Sequence, residues 1–244
     1  MSDSRYGVRQ RHPGRFRCCG VLIDSLTPEA ATQALLTSRH GQARRAHLCD
    51  TYTVSIALAD TEFRDLLNAS DINFPASTRL VRQGRRLAAR NLTDRIHPPT
   101  LMFDTMSQGR QPGLRHYLCG PTPEVVKTLK KTLLEKLPGV DIVATSVLAF
   151  PIMPAENAAL RKLAADYRPD IVWVGCETPQ QHGFVAEYAS VLGTTLVAVG
   201  DAFSVLSGVK PPSRPWTTQL LGTARFGYGT LTDKRRSRKL DRVP

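Results

Sequence analysis

No apolar run in this chain approaches the ~18 consecutive residues that a membrane-crossing helix needs, so the sequence gives no spanning segment. The arginine-rich start, MSDSRYGVRQRHPGRFR, has no apolar stretch behind it and is not expected to act as a secretory signal. Cysteine is sparse. The five present (Cys18, Cys19, Cys49, Cys119 and Cys176) show no metal-site spacing and no disulfide framework. Four sit in apolar, strand-like contexts and Cys176 lies just past a strand end, so reduced thiols and a cytoplasmic location are expected. There is no Walker loop and no complete G-x-G-x-x-G. An aromatic-rich RNA-binding motif and a helix-turn-helix are also missing, so nucleic acid is not an expected partner.

What is present reads as globular. The chain has 244 residues, 41% hydrophobic and 22% charged, enough to bury a full core. Its net charge of +12 is uneven: residues 1–17 hold five arginines against one aspartate, and residues 231–244 hold six Lys/Arg against two aspartates. A third cluster comprises Arg79, Arg82, Arg85, Arg86, Arg90 and Arg95. Such charge either solvates the surface or attracts an anion, such as a nucleotide or a membrane surface. We expect a basic tail at 1–16, a single α/β domain at 17–229 and a second basic tail at 230–244.

Strand and helix signals alternate along that domain. Apolar runs at 18–24, 46–50, 72–74, 116–119, 140–145, 171–175 and 195–200 predict strands. Thr27-Pro28-Glu29 and Thr122-Pro123-Glu124 predict helix starts, with threonine as N-cap and proline at the first helical position. Gly139 is placed to stop the helix before it, and Thr178-Pro179 is expected to cap a helix running to Leu192. Helical patterns also follow the strand at 46–50 as far as Asn68, and span 77–90 and 154–167. Strands separated by helices of about 12 residues predict a Rossmann-like parallel sheet with helices on both faces.

Ligands of such sheets bind outside the carboxyl ends of the strands. Three turns fall there: Gly120-Pro121-Thr122, Gly175 to Gln181, and Gly200 to Ser204. A glycine at each is expected to let a ligand approach the backbone. The polar cluster Glu177 to His182 either meets that ligand or only caps a helix.

Taken in order, several segments resemble the WecG/TagA/CpsF glycosyltransferase family. They are Cys19-Gly20-Val21-Leu22-Ile23-Asp24, the stretch Asp60 to Leu67 with Asn68-Ala69-Ser70-Asp71, then Pro138-Gly139, Pro169-Asp170, Pro179-Gln180-Gln181, Val199-Gly200, Ala202-Phe203 and Ser207-Gly208. The resemblance covers about residues 17–222. It implies an inverting transfer of a sugar from a nucleoside-diphosphate donor (UDP or GDP) in a Rossmann-like fold, with no D-x-D metal motif, no metal and no cofactor. This sequence has no D-x-D either. The family's Pro-Lys-Gln-Glu stands here as Pro179-Gln180-Gln181-His182, so Gln181 matches the donor-site glutamine and His182 replaces an acid. Arg95 matches a family arginine that would offset charge on the departing diphosphate, or else it is a surface arginine. On this basis Asp50 and Arg95 are the expected catalytic residues. Gly120, Gly175, Gln181, Gly200 and Ser204 are expected at the donor, and Thr51, Ser77 and His182 at the acceptor.

The departures from the pattern bear on the acceptor. Asp50 stands for a family asparagine and Leu48 for a threonine. The family's Asp-Gly turn, whose aspartate is its expected general base, is Ala76-Ser77, and a later aspartate is Ser204. Its Gly-Leu-Glu-Trp segment, which helps reach a membrane-bound lipid acceptor, is Gly222-Thr223-Ala224-Arg225. Basic residues with few apolar anchors favour a membrane weakly. A small soluble acceptor is therefore expected. A thiol or thione sulfur fits best, because an alcohol needs a base that gives ~10²–10⁴-fold and a thiol, with a pKa near ~8.5, needs less help. The step joining a nucleotide-activated octose to ergothioneine in lincosamide-type antibiotic pathways is an analogue. Two alternatives stand beside it: transfer of an N-acetylhexosamine-type sugar to a lipid-linked acceptor, and a non-catalytic sugar-nucleotide-binding protein. The oligomeric state is left open, with room for a homo-oligomer.

Overall fold

The computed structural model describes residues 14–87, 92–209 and 225–230. The chain enters through a hairpin of β1 (Arg15–Cys18) and β2 (Val21–Asp24), paired antiparallel. Cys19 and Gly20 link them at φ 51° and 82°. Two successive positive φ values make the tight turn whose twist matches a hairpin. The apolar run at 18–24 is thus a turn and one hairpin strand, outside the main sheet. β1 also begins inside the stretch expected to be tail.

Six strands form the main sheet: β3 (Arg44–Cys49), β4 (Ile72–Pro75), β5 (Arg115–Gly120), β6 (Asp141–Val147), β7 (Ile171–Val174) and β8 (Thr195–Ala198). Their order is β4-β3-β8-β7-β5-β6, and every pairing is parallel. The helices between them are α1 (Pro28–Leu36), α2 (Thr51–Ala59), α3 (Thr61–Asn68), α4 (Thr78–Arg86), α5 (Pro98–Gly109), α6 (Pro123–Lys136), α7 (Pro154–Tyr167), α8 (Gln180–Leu192) and α9 (Ala202–Ser207). The Rossmann-like α/β reading holds.

Strand alternation divides the core. Leu48, Leu118, Trp173 and Val197 pack with residues of α1, α5, α6 and α9. Tyr117, Cys119, Val172, Val174, Leu196 and Ala198 pack with α7 and α8 on the opposite face. Both faces are covered, which is why these strands read as continuous apolar runs. A third cluster lies under the hairpin, α2, α3 and α4, and includes Phe226 from the helical turn at 225–230.

The caps follow the sequence signals in part. Thr27 and Thr122 accept from the backbone N–H groups of Ala30 and Val125. The pattern running to Asn68 is two helices, because Asp60 ends α2 and caps α3 through Phe63 N–H. α5 escaped the sequence reading. It opens on Pro98-Pro99 without a side-chain cap. At the amino end of the sheet, Asp170 accepts from the backbone N–H groups of His40 and Arg115, both at 2.9 Å. Asp71 does the same for Arg45 at 2.8 Å. The Pro169-Asp170 pair is therefore a brace at the edge opposite the expected site.

Candidate active site

Because all six strands are parallel, their carboxyl ends share one rim. The chain leaves β5 for β6 on one side and returns to β7 on the other, so the crossover direction reverses at the β5/β7 pair. Open α/β sheets bind ligands at such a switch point. Across the rim stand Ser77 and Arg95 after β4, Asp50 and Thr51 after β3, Gly200 and Ser204 after β8, Gly175 after β7, and Gly120 at the end of β5. From β4 to β5 is four strand steps, about 19 Å at ~4.8 Å each. That width accommodates two ligands side by side.

At the β3/β4 end, hydroxyls cluster around a helix cap. Asp50 is the N-cap of α2, and its Oδ1 accepts from Thr53 N–H at 2.7 Å and from Thr53 Oγ1 at 2.8 Å. Thr51 Oγ1 lies 3.1 Å from Ser77 Oγ, which in turn caps α4 through Leu80 N–H. The two expected acceptor hydroxyls are therefore together, half-buried and beside Asp50. Arg95 is exposed, and its segment is anchored where Ile96 N–H donates to Pro75 O at 2.8 Å. Ala76 is buried in the core cluster, and its N–H donates to Cys49 O. The sequence reading places its missing base at this position.

At the β5/β7 end, the reason for the glycines differs from the expected one. A Cβ on Gly175 would stand 2.4 Å from the Phe203 ring, and one on Gly120 would stand 3.0 Å from the same ring and 2.4 Å from Val126. Phe203 is fully buried and sits in the core cluster. These two glycines make room for an aromatic side chain from α9. Gly200 differs: its φ is +58°, a conformation that glycine adopts readily, and the space a Cβ would take touches only the Gln181 amide.

Gln181 and His182 also depart from the expected picture. Gln181 is 3% exposed; its Oε1 accepts from Gly200 N–H at 2.8 Å and its Nε2 donates to Thr178 Oγ1 at 3.1 Å. It ties the β7 turn to the β8 turn. His182 was expected at the acceptor but is fully buried. Its Nδ1 lies 3.0 Å from His47 Nδ1 and its Nε2 lies 3.4 Å from Thr178 Oγ1, with Phe63 packed edge-on against the ring. It cannot touch a solute at the rim in this arrangement. Thr178 was expected to cap α8. Instead α8 begins at Gln180 without a side-chain cap, and the Thr178 hydroxyl serves Gln181 and His182. Ser204 is buried on α9 near the turn from β8.

Two further rim carboxylates lie within the turns noted in sequence but were not among the expected site residues. Glu177 follows β7 and Asp201 follows β8, and both are exposed. The signal for them was their position just after an apolar strand. Burial and then Glu177 push the Cys176 thiol up to about 12, which disfavours its thiolate. Among the described residues, no group of three His, Cys, Asp or Glu is placed to hold a metal ion, and no helix is long and apolar enough to cross a membrane. Of the C-terminal segment, Gly222 to Ala224 and residues 231–244 lie outside the described residues. Arg225 begins the turn that packs Phe226 on the hairpin cluster.

This rim offers hydroxyls, one capped carboxylate and an exposed arginine at one end, and a buried amide brace between two strand turns at the other. No curated protein matches the chain. The family model described as glycosyl transferase WecG/TagA/CpsF matches residues 16–223, which contain every strand of the sheet and every residue of the rim. The chain therefore belongs to the WecG/TagA/CpsF glycosyl transferase family, whose activity is sugar transfer.

Proposed function

We propose that the chain is an inverting, metal-independent transferase that takes a sugar from a UDP- or GDP-linked donor. We further propose that it gives the sugar to a small soluble acceptor through sulfur, in the cytoplasm, as in the antibiotic-pathway analogue. In this reading Gln181, Gly200 and Ser204 lie on the donor side, with Gly120 and Gly175 shaping the rim behind them. Thr51 and Ser77 hold the acceptor. Arg95 offsets charge on the leaving diphosphate, and Asp50 orients the acceptor or stabilises positive charge at the anomeric carbon.

The observation that carries the reading is Ala76. At the position expected to hold a base there is a methyl group, 8% exposed and part of the core. The nearby Asp50 already uses Oδ1 to cap α2. An oxygen nucleophile would lack a dedicated base here, while a sulfur nucleophile ionises closer to neutrality. The test is turnover of a panel of UDP- and GDP-sugars with one thiol and one alcohol acceptor, in the wild type and in Ala76→Asp. The expected result is transfer to the thiol with inverted anomeric configuration, slowed by Ala76→Asp because the new carboxylate repels the diphosphate. Activity with the alcohol that rises in Ala76→Asp, with none on any thiol, would remove the sulfur reading.

A second reading has its own observation. Arg79, Arg82 and Arg86 are all exposed on α4, the helix that Ser77 caps. A basic face beside the acceptor end fits an anionic membrane carrying a lipid-linked acceptor. Flotation with vesicles containing anionic lipid separates the two readings, since a soluble-acceptor enzyme remains at the bottom of the gradient.

A further inference from the structure

A chain of buried side chains runs from the amino end of the sheet to the rim. Ser70, before β4, lies 3.0 Å from Leu66 O and 2.8 Å from His47 Nε2. His47, on β3, lies 3.0 Å from His182 on α8 through the two Nδ1 atoms. His182 reaches Thr178 through Nε2 at 3.4 Å; Thr178 meets the Gln181 amide, and that amide accepts from Gly200 N–H. His47 and His182 are fully buried; Ser70 and Gln181 are at most 4% exposed and Thr178 is 9% exposed.

With both imidazoles neutral, the backbone groups at the two ends are met by one set of directions for the described bonds. The Leu66 carbonyl only accepts, so the Ser70 hydroxyl donates to it and must accept from His47 Nε2–H. A neutral His47 then offers a lone pair at Nδ1, so His182 donates from Nδ1 and accepts at Nε2 from the Thr178 hydroxyl. From the other end, Gly200 N–H requires Gln181 Oε1, which turns Nε2 toward Thr178 Oγ1. The two assignments meet without conflict, and each described link in the chain has one donor and one acceptor. Burial, His182 and Arg45 all hold the His47 imidazole well below its ordinary pKa, consistent with a neutral pair.

We propose that His47 and His182 are positioning residues for sugar transfer: as a neutral pair of fixed tautomers, they hold the Gln181 amide and through it the Gly200 turn at the donor end of the rim. The proposal rests on the reading of Gln181 as a donor-side residue. It also gives His182 a task that its burial permits.

Two measurements test it. Nitrogen-15 NMR of the imidazoles at neutral pH, assigned by loss of signals in His47→Asn and His182→Asn, is expected to show His47 protonated only at Nε2 and His182 only at Nδ1. An imidazolium or the reverse tautomer at either residue overturns the proposal. The second measurement is the dissociation constant of UDP and of GDP for the wild type, Gln181→Ala, Ser70→Ala and Ser70→Thr. Ser70 is at the amino end of the sheet, away from the rim, so it acts on the nucleotide through the chain and not by contact. Ser70→Ala is expected to weaken the better nucleotide by about three- to tenfold, the size of one lost hydrogen bond. Ser70→Thr, which keeps the hydroxyl, is expected to restore it. If Gln181→Ala weakens binding and Ser70→Ala does not, the donor reading stands and the proposal fails. If Gln181→Ala has no effect, or neither nucleotide binds the wild type, the donor reading fails and takes the proposal with it.

Discussion

One carboxylate, Asp50, serves a helix and is the residue proposed to act in transfer. Its Oδ1 caps α2 through Thr53, while the residue stands beside the Thr51–Ser77 hydroxyl pair. Asparagine caps a helix about as well as aspartate, whereas alanine costs about 1 kcal/mol. Asp50→Asn is therefore expected to keep the melting temperature and lose turnover, because it removes charge without removing the cap. Asp50→Ala is expected to lose both. Thermal melts and turnover of the two variants check this, and full turnover in Asp50→Asn would show that the charge has no part in transfer. The capping role was not read from the sequence, where Asp50 looked only like a strand end matched to a family position. What decides it is the geometry of the first turn of α2, which brings Thr53 N–H within reach.

Among the elements, α9 shows how a packing demand resembles a ligand site. Gly120 and Gly175 end neighbouring strands, and in sequence both look like backbone left open for a ligand. The ring of Phe203 fills that space from a helix of six residues. Gly175→Ala would bring a methyl group to 2.4 Å of that ring. Overpacking of this kind typically costs about 1–3 kcal/mol. Urea unfolding is expected to show a loss in that range for Gly175→Ala. Part of it should be recovered by Gly175→Ala with Phe203→Leu, because a branched aliphatic side chain yields the space. Equal losses in the single and double variants would show that the ring is not what the glycine accommodates. The hairpin of β1 and β2 makes a related point: β2 matches the apolar pattern of the main-sheet strands, but the Cys19-Gly20 turn folds it onto β1 instead.

For the whole molecule, the buried histidines link stability to pH. Burial lowers the His116 imidazole to about 4 and takes His47 well below the ordinary 6.5. Unfolding returns both toward 6.5, so below that value the unfolded chain holds more protons than the folded one, and stability falls as pH falls. For His116 the loss begins near 6.5 and is complete below about 4, reaching about 3 kcal/mol. His116 Nδ1 accepts from Trp173 Nε1–H at 3.2 Å. His116→Phe is thus expected to be less stable at pH 7, by about 1–3 kcal/mol for the unpaired indole N–H. It is also expected to lose less than the wild type between pH 6.5 and 4.5. Urea unfolding across that range checks both, and parallel curves for the two proteins would remove His116 as a source of the acid sensitivity.

By itself the sequence determined the α/β alternation, the two faces of the sheet, the caps at Thr27 and Thr122, and the family. These follow from local spacing: apolar runs, hydroxyl-proline starts and an ordered set of short segments. It also implied that the turns from Gly120, Gly175 and Gly200 would share a rim, because parallel strands put all their carboxyl ends on one side. Only the tertiary structure decided which rim residues are left exposed and which bond to one another. His47 and His182 are 135 positions apart and meet at 3.0 Å. Phe203 reaches glycines 28 and 83 residues earlier in the chain. No local pattern encodes such contacts, since they exist only once β3, β8, β7 and β5 are laid side by side and the helices close over them.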